Sequence, residues 1–190
     1  MRQLPLTQTE KCPFRARPLK GCKPHPGKLM PWTFVVISHI HPAAHSELAE
    51  ILARHTQMPV LLAVSRMLVR ANEVYVIPGN ADLLLENGAL VVNSPRSRRN
   101  AQVDIFFSSI AIALGSRAVG IVFSGYFGDG SAGCQSIKAA GGTTFAQDAT
   151  AEISSMPLSA RDTGCVDFVL PPDAMPAELQ KMVGGLVNSA

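Results

Sequence analysis

The alternation of apolar and polar positions divides the chain near residue 32. In residues 1–31 no helical or strand period survives. Pro5, Pro13, Pro18, Pro24, Pro26 and Pro31, six of the 14 prolines, interrupt it, because proline removes a backbone donor and biases the residue before it away from helix. From Thr33 onward the pattern becomes regular. Phe34 to Ile37 is a short β-branched run of the kind found in a buried parallel strand. His45 to Gln57 predicts a helix with Ser46 as N-cap and with Leu48, Ile51, Leu52 and His55 on one face. Val74 to Ile77 and Ala89 to Val92 predict strands, and Leu83 to Leu85 leads into Asn87-Gly88, a hairpin turn signal. Beyond a polar loop from Ser94 to Asn100, Val103, Phe106, Phe107, Ile110, Ala111 and Leu114 recur at helical spacing, and Gly115 stops the helix. Strands over 118–123, 143–146 and 166–170 then alternate with helices over 131–140, 156–163 and 174–187. This order predicts βαβ crossovers. The expected fold is α/β and doubly wound, a mostly parallel sheet with helices on both faces and a small antiparallel hairpin. The expected division is a basic, proline-rich, poorly ordered segment, 1–31, followed by one domain, 32–190.

Composition agrees with a single packed domain. The chain has 190 residues, of which 47% are hydrophobic and 16% charged, enough apolar matter for a core. No uncharged, proline-free apolar stretch approaches the roughly 18 residues of a membrane span. The first ten residues lack the apolar core and cleavage site of a signal peptide, so a cytoplasmic location is expected. Charge is unevenly placed. Of 17 basic and 14 acidic residues, 7 and 1 fall in residues 1–28, which leaves 10 and 13 for the rest. The folded part is therefore slightly acidic, which argues against nucleic acid as a partner. Cys12, Cys22, Cys134 and Cys165 have no paired spacing and no histidine pair in ligand register, so neither metal nor disulfide framework is expected.

Ligands of open α/β sheets bind outside the carboxyl ends of the strands. Two such ends carry polar residues that packing alone does not require. Ser38-His39-Ile40-His41-Pro42 follows the first strand, and a histidine there suits a general base, although a loop histidine is also compatible with a structural role. Ser124-Gly125-Tyr126-Phe127-Gly128-Asp129-Gly130 follows the strand ending at Phe123. Its Asp129 could orient an imidazole. The loop is equally compatible with cradling a phosphate or simply turning the chain. It is not a Walker A loop, since no Gly-Lys-Ser/Thr follows.

Taken together, these blocks resemble the catalytic domain of the CheB protein-glutamate methylesterases, chemotaxis enzymes that hydrolyse glutamyl methyl esters on receptor helices. The similarity runs from about Thr33 to Val187. It is densest in 34–42, 74–78, 120–130, 139–142, 145–148 and 155–157, and it is greatest to the variant joined to a receptor methyltransferase in longer hybrid proteins. The resemblance implies His39 as general base, Asp129 as the carboxylate that holds the imidazole, and Gly125, Tyr126 and Phe127 as the substrate-binding stretch beside the oxyanion. It implies methylated chemoreceptor cytoplasmic helices as partner, with a receptor methyltransferase as a second, no cofactor and no membrane insertion.

The chain departs from the family pattern in three places. The family's nucleophilic serine sits in a glycine-flanked loop some two to three dozen residues before the histidine. Here the only serine upstream of His39 is Ser38, whose neighbouring place on an extended strand points it to the other face. Tyr126 and Phe127 replace what is commonly Met (or Thr) and Gly. The family's first strand and helix have no counterpart in residues 1–31, which read as an out-of-frame product or, alternatively, a basic tail on a degenerate paralogue. Two functions are therefore expected: a methylesterase domain of Ser-His-Asp type without a recognisable serine, or an inactive relative that binds receptor helices or a methyltransferase. A nucleotide-binding α/β protein is disfavoured, because no glycine-rich loop follows the first strand.

Overall fold

The computed structural model describes residues 32–41 and 46–187. The basic segment expected over 1–31 lies outside the described residues, as does the expected helix start at His45.

The chain begins with β1 (Phe34–Val36), α1 (Leu48–His55), β2 (Val60–Leu62), β3 (Met67–Leu68) and β4 (Val74–Val76). The hairpin of β5 (Asp82–Glu86) and β6 (Ala89–Asn93) follows, then α2 (Gln102–Leu114). After a 3-10 turn over Gly115–Arg117 come β7 (Val119–Val122), α3 (Ser131–Ala139), β8 (Thr143–Gln147), α4 (Ser155–Asp162), β9 (Phe168–Leu170) and α5 (Met175–Val187).

Parallel pairing joins β1, β4 and β2 in one three-stranded sheet and β7, β8 and β9 in another, while β3, β6 and β5 form a small antiparallel sheet. The α/β class with parallel strands, flanking helices and an antiparallel element is as expected. The parallel strands nevertheless pair as two sheets rather than one. Strands β2 and β3 were not anticipated, because three-residue and two-residue elements are too short to display a period.

β4 explains why the first sheet is buried on both faces. Tyr75 and Ile77 enter the main core with Leu83, Leu90, Phe106, Phe107, Ile110 and Ile137, whereas Val74 and Val76 point the other way, with Val60, beneath α1. The alternation follows from the two-residue period of a strand. On α1 the packed residues are Leu48, Ala49, Leu52 and Ala53. The face expected from Leu48, Ile51, Leu52 and His55 is thus rotated, and Ile51 stays 46% exposed. Ala49 and Ala53 take the inward positions in place of Ile51 and His55, which are exposed. The N-cap is Glu47 rather than Ser46, although the Ser46 hydroxyl accepts a bond from the Leu48 amide at 3.3 Å.

The Asn87-Gly88 turn forms as its sequence requires, with φ of 49° and 76° and Glu86 paired to Ala89. Behind the hairpin, α2 buries Val103, Phe106, Phe107, Ile110 and Ala111 and ends on Gly115 at φ 57°, whose amide reaches the Ala111 carbonyl. Ser109 ties this helix to β5 by accepting the Leu85 amide at 3.0 Å.

Candidate active site

The carboxyl end of β1 carries Ser38-His39, and the carboxyl end of β7 carries the loop 124–130. Although 90 residues apart, His39 and Asp129 meet: Nε2 lies 2.6 Å from Oδ2. The imidazole is 25% exposed and the carboxylate is fully buried. Solvent can reach the ring, while the group that orients it is sealed off.

Asp129 is held from two sides. Besides His39, its Oδ2 accepts the Val103 amide at 3.1 Å and its Oδ1 accepts the Asp104 amide at 2.9 Å. Both amides belong to the first turn of α2, where N–H groups have no partner within the helix. Burial alone would raise the pKa of this carboxyl, but the bonds from His39, Asp104 and Val103 outweigh it and hold it below the ordinary carboxylate range. Asp129 is therefore ionised near neutrality, and Nε2 supplies the proton of the His39–Asp129 bond. That leaves Nδ1 as the ring nitrogen able to accept one. On the His39 side, Arg96 Nη1 donates to the Ile40 carbonyl at 3.4 Å, tying the β1 loop to the segment after β6.

The glycine loop is fixed by neighbours on its entry side. The Ser124 amide donates to Gln147 Oε1 at 2.9 Å, and the Gly125 amide to the Ile153 carbonyl at 2.8 Å. The Met156 amide returns a bond to the Gly125 carbonyl at 3.0 Å. A Cβ on Gly125 would stand 2.3 Å from Met156 Sδ, so this approach needs glycine. With its amide bonded to Ile153, Gly125 has no free N–H to offer a ligand. The amides of Tyr126 and Phe127 make no hydrogen bond among the described residues. Their side chains are 63% and 65% exposed, with ring centroids 6.4 Å apart. Phe127 holds φ at 68°, a region a residue with a Cβ enters at a cost.

Ser38 stands beside His39 in sequence only. Its hydroxyl is buried and makes no hydrogen bond. Sequence reasoning did not single out Asp104 or the α2 amides. The available signal was an acidic residue in the first turn of a strongly periodic helix, the position from which a carboxylate can cap. Among the described residues no group of three or more His, Cys, Asp or Glu side chains is arranged to hold a metal ion.

Parallel strands that bring an imidazole against a buried, ionised carboxylate define an α/β domain with a histidine–aspartate pair at its strand ends. Comparison with known proteins makes this more particular. The CheB methylesterase family model matches residues 23–179, starting upstream of Thr33, and the chain belongs to that family. A protein-glutamate methylesterase/protein-glutamine glutaminase of Anaeromyxobacter dehalogenans is 36% identical over 165 residues, 81% of this chain and 47% of the relative. An uncharacterized 104.1 kDa protein of Rhodobacter capsulatus is 41% identical over 126 residues, 65% of this chain and 13% of the relative. The crystal structure of the Thermotoga maritima CheB methylesterase catalytic domain superposes with a TM-score of 0.71 at 28% identity, covering 78% of this chain and 82% of that one. The chain spans about half the length of the curated methylesterase relatives it matches, with 45% and 47% of two of them covered. Among the described residues no helix is long and apolar enough to cross a membrane.

Proposed function

We propose that the chain is a chemotaxis protein-glutamate methylesterase domain of the kind that acts in the cytoplasm on glutamyl methyl esters of chemoreceptor helices, with a receptor methyltransferase as a second partner, and that it carries the base and its carboxylate but not the expected nucleophilic serine. The observation that carries this reading is the 2.6 Å bond between His39 and Asp129 at the ends of two strands, in a chain of the CheB methylesterase family.

In this reading Asp129 stays ionised and holds the Nε2 proton. Nδ1 of His39 takes the proton of an attacking hydroxyl as its oxygen adds to the ester carbonyl. The carbonyl oxygen becomes an oxyanion, stabilised by the Tyr126 and Phe127 amides, which are otherwise unused. Collapse expels methanol, which takes the proton from His39, and water cleaves the acyl intermediate by the same route. The hydroxyl does not come from Ser38, whose Oγ is buried and unbonded. That observation favours a second reading, in which these 190 residues bind receptor helices or a methyltransferase without turning over.

Methanol release from methylated receptor separates the two. The 190-residue chain is expected to release little or none, because loss of the nucleophile removes about 10⁴-fold or more of triad-dependent rate. Adding a family-like first strand and glycine-flanked serine loop should restore turnover, and His39→Ala in that version should abolish it. Restored turnover indifferent to His39→Ala would overturn the assignment of the base.

A further inference from the structure

The N-termini of α2 and α3 exchange carboxylates. Asp129, just ahead of α3, accepts the Val103 and Asp104 amides of α2 at 3.1 and 2.9 Å. Asp104, in the first turn of α2, accepts in return the Gly130 and Gly133 amides of α3, at 2.9 and 2.7 Å, both on Oδ1. Each carboxylate therefore caps the helix at whose start the other stands. Neither helix has a capping side chain of its own, since Ala101 and Gly130 occupy the N-cap positions. The joint is tight: a Cβ on Gly133 would come within 2.5 Å of Phe107 Cβ.

Two carboxylates at one joint are an expensive way to cap two helices. Burial, and then repulsion from Asp129, push the Asp104 carboxyl above the ordinary range despite the amides that bind it. An asparagine would cap α3 without that penalty. The two residues differ in one respect that matters: Asp129 carries the imidazole and Asp104 does not. Asp104 grips Gly130, the residue next to Asp129, while its own amide grips Asp129 Oδ1. The carboxylate of Asp129 is thus fixed both through its backbone and at its free oxygen, which leaves Oδ2 aimed at His39.

We propose that Asp104 is a positioning residue of the His39–Asp129 pair, fixing the Asp129 carboxylate by cross-capping the two helices. The proposal rests on the methylesterase reading for its purpose, yet it concerns the geometry of the pair and can be tested without turnover.

The test is solvent exchange of the low-field imidazole proton on His39 Nε2, followed by NMR in the unmodified 190-residue chain, Asp104→Asn and Asp104→Ser. Asparagine keeps an acceptor oxygen at the same reach and removes the charge. Serine keeps only a short acceptor that cannot span both amides, and both residues suit a helix's first turn, so both variants should fold. Exchange in Asp104→Asn is expected to match the unmodified chain. In Asp104→Ser it should accelerate about tenfold, the equivalent of one charge-assisted hydrogen bond. Unchanged exchange in Asp104→Ser would reduce Asp104 to a cap of α3 and overturn the proposal. Equal acceleration in both variants would assign the effect to charge and overturn it too. Absence of an Nε2 proton bonded to Asp129 in the unmodified chain would instead remove the pair, and with it the methylesterase reading.

Discussion

At the scale of single residues, the site loop combines a strained position with an exposed one. Phe127 pays for a left-handed backbone without burying its ring, which remains 65% exposed. Phe127→Gly is expected to stabilise the fold by about 1 kcal/mol, because glycine adopts this φ freely and little packing is lost. A rise of several degrees in thermal midpoint would be the sign, and a fall would show that the ring contributes more than its exposure suggests. Buried Asp82 is the reverse case. Its Oδ2 accepts the Ser97 amide at 2.7 Å and its Oδ1 accepts Gln102 Nε2 at 3.2 Å. Asp82→Asn turns one of these acceptors into a donor facing a donor. It should cost about 2 kcal/mol in urea unfolding, and a cost below a few tenths would mean that the loop rearranges to keep both bonds.

At the scale of elements, glycines decide how closely segments approach. Gly88 holds φ at 76° with nothing within 4 Å of a Cβ placed there. The loss on Gly88→Ala is therefore conformational alone, about 1 kcal/mol. Gly133 is set by packing instead, since α3 lies on α2 where Phe107 leaves no room for a methyl group. Gly133→Ala should cost about 3 kcal/mol by overpacking, and chemical denaturation of the two variants should rank them in this order. Equal costs would mean that α3 can slide on α2. Such sliding would also loosen Asp104 from the Gly133 amide, so the contact between these helices and the geometry of the site stand or fall together.

For the whole molecule, the hydrogen-bonded carboxylates set the response to acid. At Asp82 and Asp167 desolvation alone would raise the pKa, but at Asp82 the bonds from Ser97 and Gln102 hold the carboxyl below the ordinary range. Asp167 is held down likewise by Lys138 and the Thr144 amide. With Asp129, these groups are easier to ionise folded than unfolded. Their contribution is complete above the unfolded carboxylate value of about 4 and is lost as pH falls through the folded values. Asp104 works in the opposite sense: its raised value adds stability below about pH 4 that disappears as pH rises through the folded value. With Asp148 also held down by its bonds from Thr150, four depressed groups against one raised group predict urea midpoints that fall steeply below about pH 4. A profile flat down to pH 2 would mean that these bonds do not distinguish the folded chain from the unfolded one.

Much of the architecture was legible because it is local. A 3.6-residue period marks α2 by itself, Asn87-Gly88 specifies its own turn, and strands alternating with helices leave few alternatives to an α/β layer fold. His39 and Asp129 were legible as residues of the right kind at strand ends. The sequence alone could not say that they touch, because a contact across 90 residues depends on how two separate parallel sheets stand against each other. The inward face of α1 was decided in the same way, by the sheet beneath it rather than by its own hydrophobicity. So was the choice of ring nitrogen: Nε2 faces the same Asp129 oxygen that the Val103 amide of α2 holds. Local propensity acts between neighbours in the chain, whereas the carboxylate exchange between Asp104 and Asp129 exists only once α2 and α3 have packed. Chain order therefore determined which elements form and which residues line the strand ends, and tertiary packing decided which of those residues share bonds, because hydrogen bonds are made through space.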